Sequence, residues 1–109
     1  RERLQGLVPA DYEGTLIITG FIASDRRGVQ TTLGRNGSDF SGSIFGSLLD
    51  ASAIHIWTDV DGVLSADPRR VPDAQVIDSL SYSEAMELAY FGAKVIHPQT
   101  MAPAVGREI

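Results

Sequence analysis

Two short stretches of the sequence gather groups suited to an anionic ligand. Gly34, Arg35, Asn36, Gly37, Ser38 and Asp39 stand in a row after an apolar segment. Two glycines there let the backbone approach a ligand, and a guanidinium can grip a carboxylate or phosphate with two parallel hydrogen bonds. Free amides at a following helix start would add to the attraction. The same Gly-Asn-Ser composition also serves ordinary turns. No Gly-Lys-Ser/Thr ends the stretch and no Gly-x-Gly-x-x-Gly spacing occurs in it, so it is neither a Walker loop nor a dinucleotide fingerprint.

The second stretch brings Thr58, Asp59, Asp61 and Asp67 close together, followed by Arg69 and Arg70. A calcium loop is the sharp alternative, and it fails on spacing. Counted from Asp59, Gly62 falls at the fourth place and Arg70 at the twelfth, where an EF-hand needs glycine at the sixth and glutamate at the twelfth. Acidic residues after a strand also serve as turn formers, and one of the two arginines is expected simply to face water. Lys94 is the single lysine among nine basic residues. A flexible ammonium there could offset charge on a transferred phosphoryl group, or merely be solvated. His97 before Pro98 reads better as a helix cap than as a base, Trp57 reads as core, and Glu84 and Glu87 read as a cap and a solvated face.

These groups need elements to hold them. Residues 1–14 mix charge, glycine and proline without sustained periodicity and read as a connector or mid-domain lead-in. Residues 15–23 and 29–33 are β-type around a polar turn at 24–28, which predicts a hairpin delivering the chain to Gly34. Phe40, Ile44, Phe45 and Leu48 recur at helical spacing over 38–50, with Ser38 as the expected cap and Asp39 at the positive end. Gly42 and Gly46 weaken such a helix by about 1 kcal/mol each, which points to close packing against a sheet. Residues 53–58 read as a short buried strand, so strand, helix and strand predict a right-handed parallel crossover and an α/β fold.

Residues 59–73 read as an ordered loop. Ser81-Tyr82-Ser83-Glu84 has the pattern of a capping box opening a helix with Ala85, Leu88, Ala89 and Gly92 on one face. Val95 and Ile96 suit a minimal strand, and Pro98 suits the first turn of a short helix through Val105.

Composition narrows the function classes. A chain of 109 residues holds one small domain or part of one. With a net charge of −5 and basic residues spread along it, the chain has no electrostatic footprint for nucleic acid. Its apolar runs fall short of a membrane span. The absence of cysteine excludes a thiolate nucleophile and fits a reducing compartment, and two distant histidines do not make a metal site.

Taken together, residues 32–41, residues 56–69 and the block Phe91-Gly92-Ala93-Lys94-Val95-Ile96-His97-Pro98 resemble the aspartokinase family, in the same order and at its spacings. The resemblance runs from about residue 15 to 109 and implies the C-terminal, nucleotide-binding half of a three-layer amino-acid-kinase fold, of the carbamate-kinase type. It implies the reaction L-aspartate + ATP → 4-phospho-L-aspartate + ADP with Mg²⁺, the first step toward lysine, methionine and threonine. Onto this sequence it carries Asp39 as organiser of the catalytic centre and Arg35 and Ser38 as aspartate contacts. Thr58, Asp59, Arg69, Lys94 and Val95 carry over as nucleotide contacts. The three blocks are then expected to line one cleft.

Arg-Asn-Gly-Ser-Asp looks most like the kinase portion of bifunctional aspartokinase–homoserine dehydrogenases. Leu64 stands where many members have tyrosine, and the Lys-Phe-Gly-Gly-Thr-Ser motif and the regulatory domains occur nowhere here. The expectation is therefore a kinase portion inactive alone, whose partners are L-aspartate, MgATP, the remaining kinase and regulatory domains and further copies in a cytoplasmic homo-oligomer, with neither nucleic acid nor membrane. The alternatives are a related kinase with another acceptor, such as glutamate, acetylglutamate, carbamate or uridylate, a non-catalytic nucleotide-binding module, and an α/β domain with merely well-capped loops.

Overall fold

Asp25 folds the first β-rich run back on itself. In the computed structural model, which describes residues 6, 12–90, 98–107 and 109, its Oδ1 accepts the amides of Arg27 and Val29, both at 2.8 Å. Gly28 turns with φ 83°, in the left-handed region that costs glycine little. Strand β1 (Ile22–Ser24) thereby pairs antiparallel with β2 (Gln30–Thr32), Ala23 facing Thr31. The expected hairpin is present but shorter than its apolar sequence. Phe21 lies at φ 69°, and a non-glycine residue in that region interrupts an extended strand.

Helix α1 (Gly37–Leu48) follows closely, beginning one residue before the 38–50 span that periodicity predicts and ending two residues before its end. Its cap differs from expectation. Asn36, not Ser38, holds the N-cap position, and it does so in the left-handed conformation (φ 59°) without a side-chain cap. Gly34 and Asn36 both turn left-handed, so the chain enters the helix through its backbone and Ser38 already lies inside the first turn.

The buried residues of α1 are Gly37, Ser41, Ser43 and Ser47. The apolar stripe of Phe40, Ile44, Phe45 and Leu48 is only half-buried. Where the inner side of the helix meets its surroundings, neighbouring side chains come close. Gly37 shows this: a Cβ there would meet Leu33 Cβ at 2.8 Å and a Phe21 ring carbon at 3.0 Å. Of the two mid-helix glycines, Gly46 has the close neighbour that its presence implies, Ile54 at 2.5 Å from a would-be Cβ, whereas Gly42 has open space.

Residues 53–58 run alongside without forming a strand, so among the described residues the parallel crossover is not made and the sheet is the two-stranded hairpin. Trp57, expected in the core, is 93% exposed and Ile17 97%. A strand needs a neighbour to satisfy its amides and a covered face to bury its side chains, and the described residues supply neither.

Further on, the ordered loop anticipated at 59–73 extends to residue 77, closed by an antiparallel bridge between Leu64 and Val76. The Ser65 amide donates to the Gln75 carbonyl and the Ile77 amide to the Val63 carbonyl, both at 2.8 Å.

Helix α2 (Tyr82–Tyr90) opens with the predicted capping box. The Ser81 amide donates to Glu84 Oε2 at 2.8 Å, and the Glu84 amide returns a bond to Ser81 Oγ at 3.3 Å. Tyr82 donates its hydroxyl to the Ile109 carbonyl. Helix α3 (Pro98–Val105) has the predicted bounds. It packs on α1 and, less extensively, on α2, with Thr100, Met101 and Ala104 buried. The expected strand at Val95 and Ile96 and the helix end at Gly92 lie outside the described residues.

Ser41 ties hairpin to helix. Its Oγ donates to the Gly37 carbonyl at 2.8 Å and accepts the Phe21 amide at 2.9 Å. Ser41→Ala orphans that amide, and should lower unfolding free energy by about 1–3 kcal/mol, measured by denaturant titration of the complete polypeptide.

The capping box carries a pH signature. Glu84 is held below its ordinary value of 4.5, chiefly by the hydrogen bond from the Ser81 hydroxyl and then by the Ser81 amide. A depressed carboxyl stabilises the fold above its unfolded value and loses that contribution as pH falls through the folded one. Wild type should therefore lose stability relative to Glu84→Gln as pH drops below 4.5, in paired denaturant titrations.

Candidate anion-binding site

The turn into α1 exposes polar groups on a fixed backbone. The Gly37 amide donates to the Gly34 carbonyl at 3.0 Å and the Phe40 amide to the Asn36 carbonyl at 3.1 Å. The Ser38 and Asp39 amides fall in the first helical turn, where no preceding carbonyl is in register to accept them. Arg35 and Ser38 are exposed and Asp39 is half-buried. Ser38 Oγ lies 3.5 Å from Asp39 Oδ1, a weak contact that leaves both side chains adjustable. The three residues expected to meet aspartate and organise the centre therefore share one helix end, where partial positive charge favours an anion.

The second group sits on the segment after residue 57. Thr58 and Asp59 are exposed, and the Thr58 hydroxyl donates to Asp59 Oδ1 at 3.2 Å. Arg69 is held by Asp67. Its Nε meets Oδ1 at 3.0 Å, its NH2 meets Oδ2 at 2.8 Å, and its backbone amide also donates to Oδ1 at 3.0 Å. These bonds first, and the attraction between the charges second, raise the affinity of the guanidinium for its proton. Arg70 makes no side-chain hydrogen bond with the described residues and faces solvent, as expected for one of the pair.

Each of these side-chain contacts is local to its own loop. Lys94, Val95 and His97, with the third block of the resemblance, lie outside the described residues, so the joint cleft of three stretches rests on the proposal below. Among the described residues no three histidine or carboxylate side chains gather as a metal site.

Two supporting contacts, that of Ser41 and that of Asp67, were not anticipated from the sequence. Ser41 looks like an ordinary mid-helix serine, although its four-residue spacing from Gly37 permits a bond back to that carbonyl. Asp67 stands in an Asp-Pro-Arg sequence, and aspartate two residues before an amide is a recurring turn former.

The chain is similar to known proteins along most of its length. A bifunctional aspartokinase/homoserine dehydrogenase from Zea mays is 57% identical over 84% of this chain, and lysine-sensitive aspartokinase 3 from Escherichia coli is 48% identical over 94%. The chain spans only 10% and 23% of those two proteins. Among solved structures, E. coli aspartokinase III in complex with aspartate and ADP superposes with a TM-score of 0.74 at 50% identity, over 81% of this chain and 20% of that one. The aspartate kinase of Clostridium acetobutylicum superposes with a TM-score of 0.70 at 42% identity, over 78% of this chain and 20% of that one. These likenesses give the amino-acid-kinase fold over the shared region. The amino acid kinase family model matches residues 2–109, and the chain belongs to that family.

Proposed function

We propose that this chain forms part of an aspartate kinase, in which the turn at 34–39 receives the amino acid and the segment after residue 57 receives the nucleotide. One observation carries the reading: an aspartokinase solved with aspartate and ADP superposes on 81% of the chain at 50% identity, and the exposed Arg35 directly precedes the N-terminus of α1. In the reaction an oxygen of the aspartate side-chain carboxylate attacks the γ-phosphorus of ATP. The bond from that phosphorus to the β,γ-bridging oxygen breaks, and ADP departs with the electron pair.

Each residue has work of its own. Arg35 pairs with the carboxylate that does not react, and the Ser38 hydroxyl orients the amino acid. Asp39, at the positive end of α1, fixes the charge pattern of the centre. Thr58 and Asp59 offer a hydroxyl and a carboxylate to the nucleoside, Arg69 offers donors to phosphate, and the resemblance assigns Lys94 and Val95 as further nucleotide contacts. Such chemistry is mostly positioning and electrostatics, and it needs both walls of the cleft.

The chain taken alone would therefore turn over little, and the remaining kinase and regulatory domains, assembled in a homo-oligomer, would complete the enzyme. The location that goes with this reading is the cytoplasm or, as for the maize relative, the chloroplast.

Steady-state kinetics of the complete polypeptide test it. Wild type should consume ATP with aspartate and not with glutamate. Arg35→Ala should raise KM for aspartate roughly ten- to a hundredfold, the worth of a charge-assisted hydrogen-bonded pair, with the thermal midpoint unmoved because Arg35 is exposed. Unchanged aspartate kinetics in that variant would rule out the assigned contact.

A further inference from the structure

We propose that Asp67 is a positioning residue for nucleotide binding, which grips the inner edge of the Arg69 guanidinium so that its outer edge is held ready for a phosphate. The inference rests on the nucleotide-binding role assigned above to Arg69 and adds a residue that the resemblance does not supply.

Geometry is the first argument. A guanidinium has five N–H groups in a rigid fork. Asp67 engages two of them, one on Nε and one on NH2, at 3.0 and 2.8 Å. Three remain, both N–H groups of NH1 and the second of NH2, and together they can meet two phosphate oxygens side by side. The arginine can therefore be held and still bind. The Arg69 side chain is 70% exposed and that of Asp67 33%, so the outer edge is open to a ligand while the carboxylate is partly sheltered.

The second argument is how Asp67 itself is fixed. Its Oδ1 accepts the Arg69 amide at 3.0 Å, and its carbonyl accepts the amides of Arg70 and Val71, both at 2.9 Å. Pro68 restricts the intervening φ. The carboxylate is thus anchored to the turn it caps, and the guanidinium is anchored to the carboxylate. Downstream, the bridge between Leu64 and Val76 closes the loop around this turn.

Third, an exposed ion pair contributes little to folding, because holding a long side chain costs entropy and water screens the charges. The same ordering has value when a ligand arrives, since the rotamer freedom of Arg69 has already been given up. Arg70, one residue on, has the same charge and no such clamp.

A double-mutant cycle on the complete polypeptide separates this role from a structural one, with KM for MgATP, kcat and thermal midpoint measured for wild type, Asp67→Asn, Arg69→Ala and the double variant. Asparagine keeps an oxygen for the Arg69 amide, so the turn survives while the charge and the second acceptor are lost. The expected result is a KM for MgATP raised about tenfold in Asp67→Asn, with kcat at saturating MgATP and the thermal midpoint nearly unchanged. In the Arg69→Ala background Asp67→Asn should have no further effect, because Asp67 acts through that side chain.

Equal KM in wild type and Asp67→Asn overturns the inference while leaving the Arg69 contact standing if Arg69→Ala still weakens MgATP. Additive effects of the two substitutions also overturn it, because Asp67 would then act independently of Arg69. No effect of Arg69→Ala on MgATP removes the nucleotide assignment and the inference with it.

Discussion

The Ser41 hydroxyl joins the β-hairpin to the helix that follows it. By donating to Gly37 and accepting from Phe21, it sets the hairpin against the first turn of α1 at a separation that only small residues permit. Gly37 has no room for a side chain between Leu33 and Phe21. The position of Arg35 relative to the helix axis follows, since the chain between β2 and α1 is too short to relax independently. A buried hydroxyl with both donor and acceptor capacity used is stable because neither partner is left unsatisfied.

On its other side, α1 is fixed by close approach rather than by bulk. Serines at 43 and 47 are buried along one side of α1, and Thr100 and Ala104 are buried in α3, the helix packed against it. Small side chains make such a contact intolerant of added volume, as close-packed interiors are. The apolar residues that the sequence puts on α1 are then free to stay half-covered. This division suits a helix whose end must be rigid while much apolar surface, including Ile17 and Trp57, remains open. A radius of gyration of 15.9 Å, against about 13 Å for a compact globule of this length, fits the same picture.

How far the sequence foretold the structure depended on whether the signal was local. The capping box at 81–84, the helix at Pro98–Val105 and the hairpin turn at Asp25 were all legible, because each is settled by side chains a few residues apart. The strand at 53–58 was not, since a β-rich hexapeptide becomes a strand only through neighbours that lie elsewhere in sequence. Trp57 shared that error. The burial of α1 was misjudged for a related reason: periodicity locates a face, but the partner decides whether Leu48 or Ser47 lies deepest. In the candidate site the arginine and carboxylate types were readable. The Asp67 clamp on Arg69 was not, because it depends on rotamers that spacing alone does not determine.

The left-handed backbone at residues 34 and 36 and the crowding at 37 divide labour along the turn. Positions 34, 36 and 37 are grammar, tolerating glycine, asparagine or little else whatever the ligand. Positions 35, 38 and 39 are vocabulary, with side chains free of backbone duty. Those three words can be rewritten without disturbing the sentence around them, so one backbone can present different side chains at the same helix end.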